Sequence, residues 1–375
     1  MTMASGTSRP STPVATPLAT PPAPAQLLSI ATALPPYRLT QEQALAGARQ
    51  VFAHRLRDFD RLAPVFTHAG IEGRASCVPL DWYLEPHGWA ERNALYLEHA
   101  VDVLARAATQ ALDQAGLKPT DVDAIVAVSS TGIATPSLDA LIMQRLGMRA
   151  DVERMPLFGL GCAGGVLGLA RAATWATARP GANVLLLVVE LCALSFRRGD
   201  LSKANVIATA LFGDGGAAAI LRADPKGRDA NHEGGPAFLA SAEHRWPDSL
   251  GIMGWQVEDD GMGVIFAQSI PTLVREKLPE VVAGFLDRQR MTLSDLAGTI
   301  CHPGGTKVLD ALEEVLAPAT DGLADARDVL RQHGNMSAAT VLFVLERRVR
   351  QGARGLHLLS ALGPGFIAAL GLMRF

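Results

Sequence analysis

The chain alternates short, wholly apolar segments with longer segments of helical spacing, and this alternation limits the folds that it can adopt. Ala124 to Val128 and Asn183 to Glu190 are apolar runs rich in valine and leucine, whereas Leu97 to Ala115 has helical spacing and stops at Gly116. Strands that are apolar at nearly every position belong to sheets covered on both faces. The alternation therefore predicts an α/β fold in which helices pack on buried sheets.

The length and composition predict two domain-sized halves. The chain has 375 residues, of which 49% are hydrophobic, and this is enough for two cores. Residues 1–25 are rich in Pro, Thr, Ser and Ala and lack the pattern of a signal peptide, so we expect a disordered tail. A stretch rich in Gly, Pro, Asp and Asn, 224–237, divides the remainder into halves spanning 26–231 and 232–375.

Charge and cysteine usage narrow the class of protein. The formal net charge of -3 does not point to a nucleic-acid partner. No apolar run is long enough to span a bilayer, so stable membrane insertion is not expected. The four cysteines are far apart and lack metal-ligand spacing. We therefore expect free thiols in a reducing, cytoplasmic setting and no metal site.

Cys162 lies where a glycine-rich loop enters a predicted helix, 166–178. A thiol at a helix N-terminus meets unpaired backbone N–H groups and the positive end of the helix dipole, which favour the nucleophilic thiolate. Glycines at 159, 161, 164 and 165 leave room for a substrate. The alternative is a structural cysteine buried in a glycine-packed turn.

His302 and Asn335 are two further candidates for the same site. His302 follows a strand-like segment and precedes Pro-Gly-Gly, and as an imidazolium it would stabilise a thiolate. Asn335 precedes a predicted helix, where its amide would donate to an oxyanion or, in the alternative, cap the helix. Separately these residues are weak signals, with a loop histidine as the other interpretation of His302. The order Cys, His, Asn favours an acyl-condensing site.

Several segments together resemble the type III polyketide synthases of the chalcone and stilbene synthase family, in particular bacterial alkylpyrone and alkylresorcinol synthases. The resemblance runs from about Ile71 to the end of the chain. It is carried by the runs Pro-Leu-Phe-Gly-Leu-Gly-Cys-Ala-Gly-Gly at 156–165, Ala-Leu-Phe-Gly-Asp-Gly at 210–215, Cys-His-Pro-Gly-Gly at 301–305, Gly-Asn-Met-Ser at 334–337 and Gly-Pro-Gly-Phe at 363–366.

This resemblance implies the fold and the catalytic residues. The fold would be the thiolase fold, in which two related halves form five αβαβα layers. The protein would be a homodimer with one active site in each subunit. Cys162 would be the nucleophile, and His302 and Asn335 would be its catalytic partners.

The resemblance also implies which residues bind substrate. Phe212 matches a gatekeeper between the CoA tunnel and the cavity, and the second gatekeeper aligns with Val264, which is smaller than the family's phenylalanine. Arg61, near Arg55 and Arg57, best matches a CoA-binding position, although other such positions fall on Pro64 and His68. Each has an alternative as an ordinary core or solvated residue. Thr135 matches a position that reaches into the partner subunit's cavity. The other matches line the cavity of their own subunit: Ser195, Cys192, Ser337 and Gly365.

The activity implied is loading of an acyl-CoA starter on Cys162, extension by decarboxylative Claisen condensation with malonyl-CoA, and cyclisation. No metal or redox cofactor would be required. The small Val264 favours a fatty acyl starter and an alkylpyrone, alkylresorcinol or related phenolic product, and malonyl-only or aromatic starters remain open. The alternatives are an initiating ketoacyl-ACP synthase that condenses once and a non-catalytic thiolase-fold protein.

Overall fold

The computed structural model describes residues 23–224, 235–319 and 323–375. The predicted tail lies outside the described residues up to residue 22, and so does the predicted boundary at 231/232. The tail prediction is too long at its end, because Ala25 is fully buried and begins the first strand.

Thirteen strands and eleven helices follow one another along the described chain. The strands are β1 Ala25–Ala33, β2 Tyr37–Thr40, β3 Gly73–Ser76, β4 Ala124–Val128, β5 Glu153–Leu157, β6 Val184–Leu191, β7 Asp214–Arg222, β8 Ala237–Arg245, β9 Met253–Glu258, β10 Gly261–Phe266, β11 Gly298–Cys301, β12 Leu356–Gly363 and β13 Ile367–Arg374. The helices are α1 Gln41–Phe52, α2 Phe59–Leu62, α3 Pro64–His68, α4 Trp89–Ala115, α5 Leu138–Leu146, α6 Gly164–Ala178, α7 Lys203–Leu211, α8 Ile270–Arg288, α9 Thr306–Leu316, α10 Ala324–His333 and α11 Thr340–Arg350.

Two groups of strands repeat one pairing scheme. In the first half β1 pairs antiparallel with β7, β7 antiparallel with β6, and β6 parallel with β4. In the second half β8 pairs antiparallel with β13, β13 antiparallel with β12, and β12 parallel with β11. Only two residue pairs of β1 and β8 join the groups into a nine-stranded sheet, with β5 at one edge. The predicted pair of related halves is therefore visible in the strand order.

The helices form an outer layer on each half and a shared layer between them. Alternate residues of β4 separate the layers: Ile125 and Ala127 face the core with α4, while Val126 and Val128 face the core with α6. Helix α6 also packs on β12 and β13, and α11 packs on β11, β1 and β7. Because α6 and α11 touch strands of both halves, they form the central layer, with α8 and α9 outside the second half.

The glycine-rich segment at 213–216 has a composition typical of a turn, but its residues 214–216 form the start of β7. The strand is buried on both faces, and its small residues admit close neighbours. A Cβ on Gly216 would lie 2.7 Å from Val103 Cγ1. A Cβ on Gly215 would lie 2.5 Å from Met336 Sδ and one on Gly213 would lie 2.3 Å from His333 O, so the glycines are required by packing against α4 and the segment around 333–336.

A separate two-stranded hairpin, β9 and β10, packs through β10 on α7 and on the turn at 192–195. It pairs Trp255 with Val264 and Met253 with Phe266. None of the helices in the described ranges is both long and apolar enough to cross a bilayer.

Candidate active site

The loop that carries Cys162 is held by close packing and by one serine. It connects β5 to α6, and Cys162 sits in a single 3-10 turn, Gly161–Ala163, directly before α6. The Ser130 hydroxyl oxygen accepts from Gly159 N at 3.2 Å and Gly161 N at 3.1 Å. Gly161 has φ +47°, and a Cβ there would lie 2.6 Å from Pro364 Cδ. The backbone path of the nucleophile loop is therefore tightly constrained.

A buried carboxylate lies behind this loop. Glu190 ends β6 and is fully buried. Its Oε2 accepts from Ser130 N at 2.9 Å and Thr131 Oγ1 at 2.8 Å, whereas Oε1 has no hydrogen-bond partner among the described residues. Burial raises the pKa of Glu190 to about 7, against hydrogen bonds that lower it. Sequence analysis missed this residue, although an acid closing an apolar strand was a visible signal.

The environment of Cys162 opposes an isolated thiolate. Burial raises the pKa of its thiol to about 12; hydrogen bonds with the side chains of Ser337 and Asn335 lower it, and the charge of Glu190 raises it further. Burial of the thiol therefore opposes the thiolate that the helix entrance favours, and the helix dipole typically contributes only about 0.3–1 kcal/mol.

His302 presents a neutral ring without fixed partners. It follows β11 directly, its backbone N–H donates to Ser360 O at 2.8 Å, and the residue is 4% exposed. Neither ring nitrogen has a hydrogen-bond partner among the described residues. Burial lowers the pKa of His302 to about 3, so the resting ring is uncharged. A neutral imidazole supplies one N–H donor and one acceptor nitrogen.

Asn335 is fixed between the two halves. Its backbone bridges to Phe212, donating to Leu211 O at 2.8 Å. The side-chain oxygen accepts from Ser337 N at 2.8 Å, and Nδ2 donates to Gly304 O at 3.2 Å. The side-chain oxygen therefore caps the 3-10 turn Ser337–Ala339 that leads into α11 rather than α11 itself, and the side chain also hydrogen-bonds with the Cys162 thiol.

The structure brings Cys162, His302 and Asn335 together in the wall of one cavity, which we name the reaction cavity. The three residues come from the first half, from the end of β11 and from the segment after α10. The rest of the wall is mainly apolar, and the volume is about 20 Å³. The remaining lining residues are Met253, Phe266, Ile270, Leu278, Gly304, Val308, Leu312, Ser360, Ala361, Leu362 and Leu370.

Three of the predicted cavity residues line a different space, which we name the apolar cavity. Phe212, Cys192 and Ser195 line it, and its volume is about 60 Å³. Phe212 also meets the Trp255 ring edge-on, with centroids 5.8 Å apart. The other lining residues come from β2, α1, α7 and neighbouring turns: Leu39, Ala44, Gly47, Ala48, Val51, Arg74, Leu80, Tyr83, Leu84, Ala193, Phe196, Ala208 and Thr209.

The second gatekeeper position falls beside the reaction cavity rather than in its wall. Val264 pairs across the hairpin with Trp255, and Phe266, two residues further on the same face, lines the cavity. Phe266 therefore supplies to the cavity wall the aromatic bulk that Val264 lacks, while Trp255 packs against Phe212. Sequence analysis missed Trp255, because its hairpin was not predicted.

The other predicted residues are placed as follows. Ser337 is buried beside the Cys162 thiol. Gly365, with φ +120°, lies in a loop whose carbonyl accepts from Ser249 Oγ at 3.2 Å. Thr135 is exposed at the surface of the single subunit. Arg61 is also exposed and lies 3.8 Å from Asp58, so its role in CoA binding stays a prediction.

Family models agree with this geometry. A model of the chalcone and stilbene synthases, N-terminal domain, matches residues 85–225, and the C-terminal domain model matches residues 237–371. The chain belongs to the chalcone and stilbene synthase family. The predicted family is thereby confirmed, and so is its class of activity, an acyltransferase of the type III polyketide synthase kind.

Individual members of the chalcone and stilbene synthase family match nearly the whole chain. A Bacillus subtilis (strain 168) protein provisionally named a chalcone synthase is 39% identical, covering 92% of this chain and 97% of that protein. The 1,3,6,8-tetrahydroxynaphthalene synthase of Streptomyces peucetius subsp. caesius is 38% identical, covering 92% of each. The crystal structure of the Streptomyces coelicolor A3(2) tetrahydroxynaphthalene synthase superposes with a TM-score of 0.86 at 28% identity, covering 93% of this chain and 99% of that one. The predicted thiolase fold is confirmed by such neighbours.

Proposed function

We propose that the protein loads an acyl-CoA starter on Cys162, extends it with malonyl-CoA by decarboxylative Claisen condensation, and cyclises the product. The observation that carries the proposal is the shared wall of the reaction cavity, where a thiol, a neutral imidazole and an amide donor beside the thiol meet. The thiol and the imidazole are the nucleophile and base of acyl transfer, and the amide is a donor for the oxygen of an enolate.

Loading begins with movement of the thiol proton to the acceptor nitrogen of His302. Burial opposes a lone thiolate and a lone imidazolium, as the pKa values of Cys162 and His302 show. Transfer between the two leaves the cavity with no net charge, so it avoids most of that cost. The thiolate attacks the thioester carbonyl of the acyl-CoA, and the departing CoA sulfur takes the proton back from His302.

Extension uses the same donors on malonyl-CoA. The thioester oxygen accepts from the His302 N–H and from Nδ2 of Asn335, which stabilises the enolate formed as CO2 leaves. The enolate carbon attacks the acyl group on Cys162, and the sulfur departs. The electron pair of the new carbon–carbon bond comes from the broken bond to CO2, so we propose that no metal or redox cofactor takes part.

For the starter, we propose a fatty acyl group and an alkylpyrone, alkylresorcinol or related phenolic product. The support is the apolar cavity, whose lining is almost wholly hydrocarbon and includes Phe212 and Ser195. A starter made of malonyl units alone is the second candidate, favoured by the tetrahydroxynaphthalene synthase that is 38% identical.

A homodimer and a cytoplasmic location complete the proposal. Two large apolar side chains, Ile133 and Phe158, are 49% and 62% exposed in the single subunit. Ile133 lies two residues before Thr135, and Phe158 lies in the nucleophile loop. Covering them with a second copy would bring Thr135 near the partner. All four cysteines are free, which fits a reducing compartment. Sedimentation velocity at micromolar concentration tests the dimer, and a monomer there would overturn it.

The central experiment incubates the purified protein with malonyl-CoA and a series of acyl-CoA starters from two to sixteen carbons, with products identified by mass spectrometry. The proposal expects cyclised products with at least two extensions, and Cys162→Ala to abolish them. Products from malonyl-CoA alone would favour the second candidate. A single extension that requires a carrier protein would identify an initiating ketoacyl-ACP synthase instead. No product and no CO2 release would favour a non-catalytic protein.

A further inference from the structure

Arg74 is a buried cation that the proposed mechanism does not use. It lies on β3, is 2% exposed and lines the apolar cavity together with Phe212. Burial lowers the pKa of Arg74 to about 10, whereas the charges of Tyr83 and Asp214 raise it, so the guanidinium stays charged at neutral pH. A buried charge is costly unless hydrogen bonds satisfy it. The partners of Arg74 therefore show what this charge holds in place.

The guanidinium of Arg74 binds the C-terminal end of α7. Nη1 donates to Thr209 O at 2.8 Å and to Phe212 O at 3.0 Å, and Nη2 donates to Ala210 O at 3.0 Å. The last carbonyls of a helix have no partner within the helix, and a cation there interacts favourably with the negative end of the dipole. The planar guanidinium reaches all three oxygens at once, and it thereby fixes the carbonyl of Phe212.

The peptide that Arg74 holds at its carbonyl is bound at its N–H to Asn335. Gly213 N donates to Asn335 O at 3.0 Å, and Asn335 N donates to Leu211 O at 2.8 Å. These two hydrogen bonds form the isolated bridge between Phe212 and Asn335. The Phe212–Gly213 peptide therefore lies between the guanidinium on one side and the backbone of the candidate oxyanion donor on the other.

The aliphatic part of Arg74 also packs where these two segments meet. A Cβ on Gly213 would lie 3.1 Å from Arg74 Cβ, and one on Gly334 would lie 3.7 Å from Arg74 Cβ and 2.7 Å from Leu211 O. The segments 211–213 and 334–335 are therefore in direct backbone contact beside Arg74. Because such close packing leaves no free space to absorb a displacement, a shift at the end of α7 would also move Asn335.

We propose that Arg74 is a positioning residue for decarboxylation, which holds the backbone of Asn335, through the Phe212–Gly213 peptide, where the Asn335 amide can donate to the enolate oxygen. A hydrogen bond weakens steeply when its distance and angle leave their preferred range. A displacement of about 1 Å can therefore slow a reaction on the order of 10²-fold. The inference rests on the proposed function, because decarboxylation is a step of that reaction.

Loading of Cys162 should depend less on Arg74. Ser130 holds the backbone of the nucleophile loop, and the backbone N–H of His302 donates to Ser360 O at 2.8 Å. None of these hydrogen bonds involves residues 209–213. Loss of the Arg74 donors should therefore separate the two steps and slow decarboxylation more than acylation.

The test measures both steps in each variant, as CO2 release from radiolabelled malonyl-CoA and as acylation of Cys162 by acetyl-CoA, followed by intact-protein mass. Arg74→Met is expected to slow decarboxylation about 10–100-fold and acylation less than about threefold. Arg74→Lys keeps the charge but not the planar fork, so it should show the same separation with a smaller loss. If Arg74→Met does not fold, Arg74→Lys carries the comparison.

Gln41→Leu is the matched control. Gln41 Nε2 donates to Ala210 O at 3.1 Å and to Phe66 O at 2.8 Å, so it also supports the end of α7, but among the described residues it binds no carbonyl of 211–213. Its two rates should remain in the wild-type ratio. If Gln41→Leu separated the two steps as the Arg74 variants do, any support of the helix end would have the same effect, and the specific role of Arg74 would be overturned.

A double-mutant cycle tests whether Arg74 acts through Asn335. In an Asn335→Ala background the amide donor is absent, so Arg74→Lys should cause no further loss of decarboxylation, whereas independent roles would multiply their losses. Multiplied losses, or equal losses in the two steps of the Arg74 variants, would overturn the positioning role while the wild type still releases CO2. Absence of CO2 release from the wild type would overturn the proposed function instead.

Discussion

The two halves of the molecule share a strand order, but they differ in the hydrogen bonding of the polar side chains at the ends of their strands. In the first half, Ser130 and Thr131 at the end of β4 and Glu190 at the end of β6 form hydrogen bonds that fix the nucleophile loop. In the second half, His302 at the end of β11 has a ring with no partner among the described residues. One half holds the thiol in place, and the other keeps a donor and an acceptor free for the substrate.

The largest expected effect comes from replacing His302, whose ring nitrogens have no hydrogen-bond partner among the described residues. The pKa of His302 is about 3 and that of Cys162 is about 12. Between these two pH values the number of protons bound to the pair in the wild type does not change. Alkylation of Cys162 by iodoacetamide should therefore be nearly constant from pH 5 to 9. In His302→Gln the thiol has no acceptor, so the rate at pH 7 should fall on the order of 10³-fold and rise with pH. Mass spectrometry of the Cys162 peptide measures both profiles, and parallel profiles would contradict the pairing.

Substitution of Asn335 tests whether its amide donates a hydrogen bond to the enolate oxygen. Asn335→Ala should reduce malonyl-CoA decarboxylation by about 10²–10³-fold, while acylation of Cys162 by a starter changes little. Asn335→Asp keeps the acceptor for Ser337 N but loses the donor, so it should be equally slow. Radiolabelled CO2 release and intact-protein mass measure the two steps separately. An Asp variant with wild-type decarboxylation would remove Asn335 from this role.

Substitution of Glu190 tests how much the burial of this carboxylate lowers the free energy of unfolding. Burial raises the folded-state pKa of Glu190 to about 7 from its ordinary value of 4.5. The native state therefore binds this proton more tightly, and the associated stability is present below about pH 4.5 and lost as pH rises through 7. Glu190→Gln should remove that loss, gaining up to about 3 kcal/mol at pH 8 relative to pH 4.5. Urea unfolding of both proteins at the two pH values measures this, and an equal difference at both would show that Glu190 is not the source.

The smallest effect is expected at Ser130. Ser130→Ala removes the acceptor for Gly159 N and Gly161 N, which should reduce the free energy of unfolding by about 1–3 kcal/mol. Because the loop loosens, the rate of Cys162 alkylation should also become dependent on pH. Ser202→Ala offers a comparison at a surface position, since that hydroxyl caps α7 at Asn205 N. If both variants leave Cys162 reactivity unchanged, the serine does not hold the nucleophile loop.

Much of the fold follows from local patterns in the sequence. The strand at 124–128, the helix that reaches residue 178 and the stop at Gly116 all occur as predicted, because apolar runs, helical spacing and a left-handed glycine are local signals. The need for glycine at the start of β7 could not be predicted, because the side chains and backbone that it accommodates belong to α4 and to residues 333–336, which are distant in the sequence.

The residues of the candidate site also differ in whether the sequence alone could predict them. Cys162, His302 and Asn335 could be found because each follows a recognisable break after a strand or helix. Trp255 could not, since its contact with the Phe212 ring depends on how the β9–β10 hairpin packs on α7. The burial that shifts the pKa of Cys162 is a property of the assembled core and has no local signal.

The close approach of the Gly363 and Pro364 loop to the nucleophile loop has a consequence during synthesis. A Cβ on Gly363 would lie 2.7 Å from Leu160 O, so the two segments are in direct backbone contact. A ribosome exposes the first half long before residues 302–364 emerge. A nascent chain therefore displays Cys162 without the imidazole that takes its proton and without the loop that fixes its backbone. The thiol therefore gains its neighbours from the second half only when translation is nearly finished.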